Sequence, residues 1–384
     1  MKQNRYRIVI VFLSVFIINS CIEPYYSSDL EQTEPLLVVD GTITDQSENQ
    51  EITLSKTTDI NNIFFAPVKN YNIQVEDKSG NIYRFNYFNM GKYKGKIPLD
   101  KLVKGNAFKI EITSPEGKVY ESNFEEMTSC ADVDSVYYEF IESRYDENTQ
   151  STSMGIQYYV DLKVDKQYSK YYRWRLIETY EYHTTWPIKK YWMGRWIDNG
   201  LDYSKSVCYK TEQVKGVYSV STQFVQDEYL KYPLIFVNNK SQRLYYKYSL
   251  LIEQCSITEQ AFNYWELLKL NSQESGGMFD SQPAVVEGNI KCISNPDERV
   301  LGYFGVSSIK TKRVFAQNIE GMKFSNMFCA PDAIQRMADI YRSDPEEWPI
   351  YLVPDNESQT GDRTCFDCTK AGGVTAKPDF WDDK

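Results

Sequence analysis

Apolar residues alternate with polar ones in many short segments of this chain, and turn sequences separate the segments. Tyr172, Trp174 and Leu176, for example, alternate with Arg173 and Arg175. Such alternation predicts a half-buried strand, because successive side chains of a strand point to opposite faces of the sheet. Aromatic residues, which favour strands, make up 15% of the chain. The sequence therefore predicts a mainly β protein.

The spacing of these segments changes along the chain. Between residues 36 and 128 they recur about every ten residues and are joined by turn sequences such as KSGN (78–81) and SPEG (114–117), which predicts an Ig-like β-sandwich. Longer segments rich in Tyr and β-branched residues follow. We expect residues 129–384 to form a larger antiparallel β-rich domain with about two helices and a cysteine-containing C-terminal tail.

Two segments have helical periodicity. In the first, residues 256–271, Ser256 and Glu259 have the spacing of a capping box, in which each side chain satisfies the other's free backbone N–H. The second, residues 331–342, begins with Pro331, a residue tolerated at helix starts. The residues expected on the buried faces are Ala261, Trp265 and Leu268 in the first helix and Ile334, Ala338 and Tyr341 in the second.

The first twenty residues have the composition of a secretory signal peptide. Basic residues precede an apolar run at residues 8–18, which is shorter than the ~20 residues of a membrane-spanning helix. The run ends in Ile18-Asn19-Ser20-Cys21, which resembles a bacterial lipobox. That resemblance implies cleavage before Cys21, acylation of Cys21 and stable membrane anchoring. Residues 21–35 then read as a polar tether. The alternative is an ordinary signal peptide followed by a chance cysteine.

Seven cysteines follow Cys21, so at least one is unpaired. Cys365 and Cys368 form a Cys-x-x-Cys motif, which can be half of a zinc site, a redox pair or part of a disulfide framework. No second such pair exists, His183 is the only histidine, and the neighbouring glycines indicate a loop rather than the helix start of a redox motif. Because exported proteins form disulfides, we expect one of the two to bond Cys329. The disulfide candidates are Cys208, Cys292, Cys329, Cys365 and Cys368.

Sequence signatures of catalysis are scarce. Removal of residues 1–20 changes the net charge from −10 to −13, and no run of five basic residues occurs, which argues against nucleic-acid binding. His183 has no nucleophile motif beside it, and we expect a loop or strand-edge position for it. Asp280 lies in a turn-like FDSQP segment. We therefore expect no catalytic residue, no metal site and no cofactor.

The segment HTTWPIKKYWMGRWIDNG, residues 183–200, is the strongest candidate for a binding surface. Trp186, Trp192 and Trp196 fall close together, and Arg195 lies among them. Trp and Arg are enriched in the residues that dominate binding energy. We predict an exposed hairpin that contacts a ligand or partner. The alternative is a hairpin whose tryptophans cover the edge of a sheet.

Several segments occur in an order that is typical of one family. They are LLVVDGTITD (36–45), YYRWRLIETYEY (171–182), YSLLIEQCSITEQAFNYWELLKLNSQESGGMFDSQPAVVEGNI (248–290), VLGYFGVSSIKTKRVF (300–315) and CFDCTKAGGVTAKPDFW (365–381). The chain resembles the Bacteroidota lipoprotein family catalogued as domain of unknown function 4249. Cys255 departs from the pattern and is our candidate for the unpaired cysteine. Cys130 is also outside the pattern.

The resemblance implies an outer-membrane lipoprotein that faces the cell exterior and works with a TonB-dependent transporter. It supplies no catalytic residues. We therefore favour a non-enzymatic binding or accessory protein of unknown ligand, held to the membrane by its lipid. Two alternatives are a surface adhesion or structural lipoprotein and a hydrolase that uses carboxylates alone.

Overall fold

Strands dominate the residues that the computed structural model describes, which are 35–58, 64–146, 150–273, 286–324 and 329–382. The mainly β fold with several antiparallel sheets, predicted from the alternation of apolar residues, is confirmed. The signal peptide, Cys21, nearly all of the tether and Asp280 lie outside the described residues.

The elements are numbered in chain order. The strands are β1 (Leu37–Thr44), β2 (Asn49–Lys56), β3 (Ala66–Pro67), β4 (Asn72–Asp77), β5 (Ile82–Asn89), β6 (Lys92–Lys96), β7 (Ala107–Thr113), β8 (Val119–Ser122), β9 (Glu125–Glu126), β10 (Ser135–Asp146), β11 (Ser151–Lys163), β12 (Tyr171–His183), β13 (Ile188–Trp192), β14 (Trp196–Asp202), β15 (Val207–Gln213), β16 (Tyr218–Ser221), β17 (Glu228–Asn238), β18 (Lys247–Ser256), β19 (Ile290–Cys292), β20 (Val300–Ser307), β21 (Ile309–Gln317), β22 (Asp332–Ala333), β23 (Ile350–Val353) and β24 (Asn356–Thr360). The α-helices are α1 (Glu259–Gln273) and α2 (Met337–Tyr341). Short 3-10 helices span Gln242–Leu244, Pro345–Glu347, Arg363–Cys365, Cys368–Ala371 and Asp379–Asp382.

The first sheet has the strand order β19-β8-β7-β4-β5-β6-β2-β1-β20, with β3 beside β2 and β9 beside β7. Strand β5 pairs with β4 through its first residues and with β6 through its last ones. Fully buried side chains from both halves, such as Leu54 of β2 and Val75 of β4, fill one hydrophobic core. The sheet is therefore folded around that core, with β5 shared between its halves.

Two strands of the first sheet come from beyond residue 128, where the sequence predicts the end of the N-terminal domain. Strand β20 runs parallel to β1 from Leu37 opposite Val300 to Thr44 opposite Ser307, and β19 pairs with β8. The close approach of β20 to β1 requires a glycine at residue 302 of β20. Gly302 has a φ of 94°, and a Cβ there would lie 1.9 Å from the carbonyl oxygen of Val39. Later parts of the chain thus complete the N-terminal core.

Three further sheets follow. Their strand orders are β10-β11-β17, β15-β12-β18-β21 with β16 beside β12, and β14-β13-β23-β24-β22. Tyr172, Trp174 and Leu176 of β12 are each 1% exposed, which confirms the alternation predicted for this segment. The indole N–H of Trp174 donates to the side-chain oxygen of Gln254 at 3.1 Å, so its polar atom is satisfied inside the core.

Helix α1 lies where the sequence predicts a helix, and its start differs from the prediction. Ser256 belongs to β18, and its hydroxyl donates to the carbonyl oxygen of Thr128 at 2.8 Å. The hydroxyl of Thr258 instead accepts from the backbone N–H of Ala261 at 3.2 Å. The capping-box prediction for Ser256 and Glu259 is therefore wrong, because pairing of β18 holds Ser256 in the sheet. Ala261 is buried as expected.

The second predicted helix, residues 331–342, is wrong in its first half. Residues there form β22, which pairs with β24, and only the five residues of α2 are helical. The helix buries Ile340, whereas Ala338 and Tyr341 are exposed and Ile334 is half-buried. Among the described residues, neither helix is long and apolar enough to cross a membrane.

Candidate functional site

The predicted binding segment forms a hairpin on the small sheet β14-β13-β23-β24-β22. Strands β13 and β14 pair directly, and the backbone N–H of Met193 donates to the carbonyl oxygen of Arg195 at 3.0 Å in the turn. Strand β13 also pairs with β23, so that Trp192 lies opposite Ile350. A segment from the middle of the chain therefore rests on strands from the C-terminal tail.

Two disulfides fix the tail, one to β15 and one within the tail itself. Cys329 bonds Cys365, and Cys208 in β15 bonds Cys368. The two cysteines of the Cys-x-x-Cys motif therefore have different partners and serve as a structural clip. The predicted bond from this motif to Cys329 is confirmed.

The remaining cysteines of the described residues are free. Cys292 was among the predicted disulfide candidates, and that prediction is wrong, because its side chain is buried in the core of the first sheet. Cys255 is unpaired as predicted, and Cys130 is unpaired as well. Each of the three lies in a different hydrophobic cluster. Burial raises the pKa of the Cys130 thiol to about 12, which keeps it protonated and unreactive at neutral pH.

Trp192 and Trp196 form an aromatic cluster with Tyr341 of α2. The ring centroids of the two tryptophans are 5.4 Å apart, and that of Trp192 is 5.0 Å from that of Tyr341, both in edge-to-face geometry. The indole N–H of Trp196 lies 3.4 Å from the hydroxyl of Tyr341. The indole N–H of Trp192 is buried and has no hydrogen-bond partner among the described residues.

Apolar side chains extend this cluster into solvent. Met193 and Tyr341 are each 53% exposed, and Met337, one helical turn before Tyr341, is 41% exposed. We call Trp192, Met193, Trp196, Met337 and Tyr341 the hairpin surface. Arg195 is exposed at the tip of the hairpin. Flexible Met beside rigid aromatic rings is a composition typical of binding surfaces.

Charged groups line the edge of the hairpin surface. The ammonium of Lys190 lies 5.6 Å from the centre of the Trp196 ring and forms an ion pair with Glu357 at 2.6 Å. The hydrogen bond that Lys190 donates to Glu357 raises the pKa of Lys190. The ring of Trp348 lies against the turn of the hairpin, since a Cβ on Gly194 would lie 2.9 Å from that ring.

Trp186 does not join this surface. Its ring packs on Phe366 at a centroid distance of 5.0 Å, in the cluster that also contains Ile188 and Cys365. The structure thus brings together Trp192, Trp196 and Arg195 and separates the fourth predicted residue. Trp186 instead covers the core of the small sheet, which corresponds to the alternative interpretation of the segment.

Sequence reasoning missed a cleft of about 570 Å³ beside α1. Its lining residues are Thr258, Glu259, Gln260, Asn263, Tyr264, Leu267, Glu287, Gly288 and Tyr303. Behind it lies Glu125, only 2% exposed, which accepts hydrogen bonds from the hydroxyls of Thr258 and Tyr303. Burial raises the pKa of Glu125. These residues come from distant segments, so no local sequence pattern marks them.

His183 is the last residue of β12, in agreement with the predicted strand-edge position. Its Nε2 lies 2.8 Å from a carboxylate oxygen of Glu181, and its ring stacks on Tyr246 at 3.6 Å. Within the described residues, no group of His, Cys, Asp and Glu side chains could hold a metal ion.

A family model described as a domain of unknown function matches residues 23–313, which is more than half of the chain. The chain belongs to the DUF4249 family. The DUF4249 match includes β13 and β14 and ends within β21, so α2, the supporting strands β22–β24 and the closing motif at 365–381 lie beyond it. No curated protein is significantly similar to the chain in sequence.

Proposed function

We propose that this DUF4249 protein is a non-enzymatic binding protein, anchored by a lipid at Cys21 to the outer membrane and facing the cell exterior. In this proposal it acts with a TonB-dependent transporter in nutrient uptake. The hairpin surface is the observation that carries the binding role, because folding alone does not bury its apolar side chains. The anchor rests on the lipobox, and the transporter rests on the family resemblance.

The disulfides support both parts of the proposal. Disulfides persist in oxidising compartments outside the cytoplasm, where the signal peptide would direct this chain. The Cys208–Cys368 bond also ties the tail, whose strands carry the hairpin, to β15, and the Cys329–Cys365 bond closes a loop within the tail. A binding surface on a rigid frame loses less conformational entropy when it binds. The hairpin surface is therefore suited to recognise a partner without reorganising.

A pull-down tests the proposal directly. The acylated protein, tagged after Lys384, is extracted gently from outer membranes, and co-purifying proteins are identified by mass spectrometry. We expect a stoichiometric TonB-dependent barrel, and we expect its loss from the double variant Met193→Ser/Tyr341→Ala. The matched control is Phe224→Ser, since Phe224 is 92% exposed and lies outside the hairpin surface.

Two results would contradict this function. If the double variant retains the barrel, the hairpin surface does not bind it. If no membrane protein co-purifies while external protease still digests the lipoprotein, the adhesion or structural alternative is favoured.

A second candidate function, a carboxylate-based hydrolase, is favoured by the cleft beside α1. Glu259 and Glu287 both line it, and glycoside hydrolysis requires only two carboxyl groups across the scissile bond. A panel of chromogenic glycosides tests this function. Turnover that Glu259→Gln and Glu287→Gln each abolish would establish it. Turnover by neither the parent nor the variants would exclude glycosides as substrates.

A further inference from the structure

The chain enters its first sheet at one end, and three segments meet there. Strand β1 begins at Leu37, which lies opposite Lys56, the last residue of β2. Lys56 in turn lies opposite Ala66, the first residue of β3. The start of β1, the end of β2 and the start of β3 therefore form one row across the sheet.

Exposed apolar side chains gather at this end. Phe64 and Phe65, which directly precede β3, are 57% and 53% exposed. The turn between β5 and β6 contacts both β2 and β3: the backbone N–H of Leu54 in β2 donates to the carbonyl oxygen of Gly91 at 2.8 Å, and a Cβ on Gly91 would lie 3.0 Å from that of Pro67 in β3. The end of β5 adds the exposed Phe88, and the turn adds the exposed Met90. We call Phe64, Phe65, Phe88 and Met90 the tether-end patch.

Met90 occupies a backbone position that favours other residues. It and Gly91 form a two-residue turn between the paired residues Asn89 and Lys92, with φ values of 46° and 75°. Such turns favour Asn or Gly, because a Cβ is strained at positive φ. Met90 is also 61% exposed, so packing does not explain it. A strained, exposed, apolar residue at a turn tip indicates a role outside the fold.

Two lysines of β6, Lys92 and Lys94, lie at the Phe88–Met90 side of the patch. The ammonium of Lys94 lies 3.8 Å from the centre of the exposed Phe88 ring. Lys92 and Lys94 both approach Glu51, at 2.7 and 3.8 Å. Aromatic rings in contact with long basic side chains are the combination found at the interface between lipid and water, where the ring is buried and the ammonium reaches the headgroups.

The length of the tether indicates what covers this patch. Fifteen residues lie between Cys21 and Leu37, and the chain from one to the other spans at most about 55 Å when fully extended. We propose that the tether-end patch inserts into the headgroup region of the membrane in which the Cys21 lipid is anchored. This inference rests on the proposed lipid anchor. Contact through four apolar side chains also suits a protein of net negative charge, which anionic lipid would not attract.

Photolabelling of the full-length acylated protein tests the inference. The protein is reconstituted in zwitterionic vesicles that carry a phospholipid with a photoactivated carbene group, and adducts are mapped by mass spectrometry. We expect peptides with residues 64–65 and 88–90 to carry about tenfold more adducts than the peptide with Phe224, an exposed aromatic residue in the loop between β16 and β17. The variant Met90→Asn should lose adducts at its own peptide, and it should fold at least as well because Asn favours this turn.

The outcomes separate this inference from the proposed function. An unacylated N-terminal peptide would refute the lipid anchor and, with it, the membrane contact. An acylated, vesicle-bound protein whose 64–65 and 88–90 peptides carry no more adducts than the Phe224 peptide would overturn the inference alone. Cross-links in native membranes from these peptides to a co-purified protein, without lipid adducts, would likewise overturn it in favour of a protein contact.

Discussion

The Cys208–Cys368 disulfide, which ties the tail to β15, should stabilise the fold more than the Cys329–Cys365 disulfide, which lies within the tail. The first joins residues 160 positions apart and the second residues 36 apart. A cross-link reduces the entropy of the unfolded chain by an amount that grows with the logarithm of the enclosed length. That relation gives about 5 kcal/mol for the long loop and about 4 kcal/mol for the short one.

The two disulfides are removed in separate variants, Cys208→Ala/Cys368→Ala and Cys329→Ala/Cys365→Ala. Cys208 and Cys368 are both fully buried, so their replacement also removes packing contacts and adds to the loss. We expect the first variant to lose at least about 1 kcal/mol more of the free energy of unfolding than the second. Urea unfolding followed by tryptophan fluorescence measures the difference.

Equal losses, or a larger loss in the second variant, would refute this reasoning. The controlling effect would then be local docking of the tail rather than the entropy of the unfolded chain. Alkylation of the denatured, unreduced parent provides the control, because only Cys130, Cys255 and Cys292 should react within the described part of the chain. If these three alone are modified, both disulfides were intact in the comparison.

Three other predictions concern single residues. Gly302→Ala should lower the free energy of unfolding, measured by thermal unfolding, by about 3 kcal/mol or more, because the new Cβ would collide with the carbonyl oxygen of Val39 at a positive φ. A variant as stable as the parent would show that β20 does not lie where we describe it. Burial raises the pKa of Tyr232 from 10.0 to about 12, so its contribution to stability is complete below pH 10 and is lost as the pH rises to about 12. In the Tyr232→Phe variant, the urea concentration at the unfolding midpoint should fall less steeply than in the parent as the pH rises from 10 to about 12. A slope equal to that of the parent would contradict this prediction. Burial alone would raise the pKa of Asp367, but hydrogen bonds, foremost from Lys205, outweigh it and hold the pKa below its usual value. The Asp367 carboxylate therefore stabilises the fold above the pKa that it has in the unfolded chain, and this contribution is lost as the pH falls through its pKa in the folded protein. Asp367→Asn should lower the free energy of unfolding at neutral pH and make it depend less on pH in the acid range. A variant whose free energy of unfolding changes with pH in parallel with that of the parent would argue against this role.

Strand identity could be predicted from the sequence because it depends on local alternation. In β12, Tyr172, Trp174 and Leu176 face the core as their spacing requires. Strand partners could not be predicted in the same way. Alternation in β1 shows which side chains are buried, yet nothing in it indicates that β20 will lie beside Leu37 rather than a nearer strand.

The misassigned elements have a common cause, which is competition from tertiary pairing. Ser256 has the spacing of a helix cap, yet the pairing of β18 with β12 and β21 continues to that end of the strand. Pro331 is suited to a helix start, yet Asp332–Ala333 pairs with β24. In both places the ladder hydrogen bonds override local propensity.

The candidate site shows the same limit. The composition of residues 183–200 indicated Trp192, Trp196 and Arg195, because hot-spot residue types cluster there. The contribution of Tyr341 could not be inferred, since it comes from a helix about 145 residues later, as the contact with Trp196 shows. The cleft beside α1 was missed for the same reason.

The parallel pairing of β1 with β20 also orders events during synthesis. A chain made from its N-terminus produces β1 early and its partner only after most of the sequence has followed. Until then one edge of the first sheet is open, and an open edge can pair with another chain. Contacts between such distant segments also slow folding. A nascent chain of this kind therefore depends on being held apart from other copies until residues 300–307 are available, and a fragment ended at residue 128 would retain that open edge permanently.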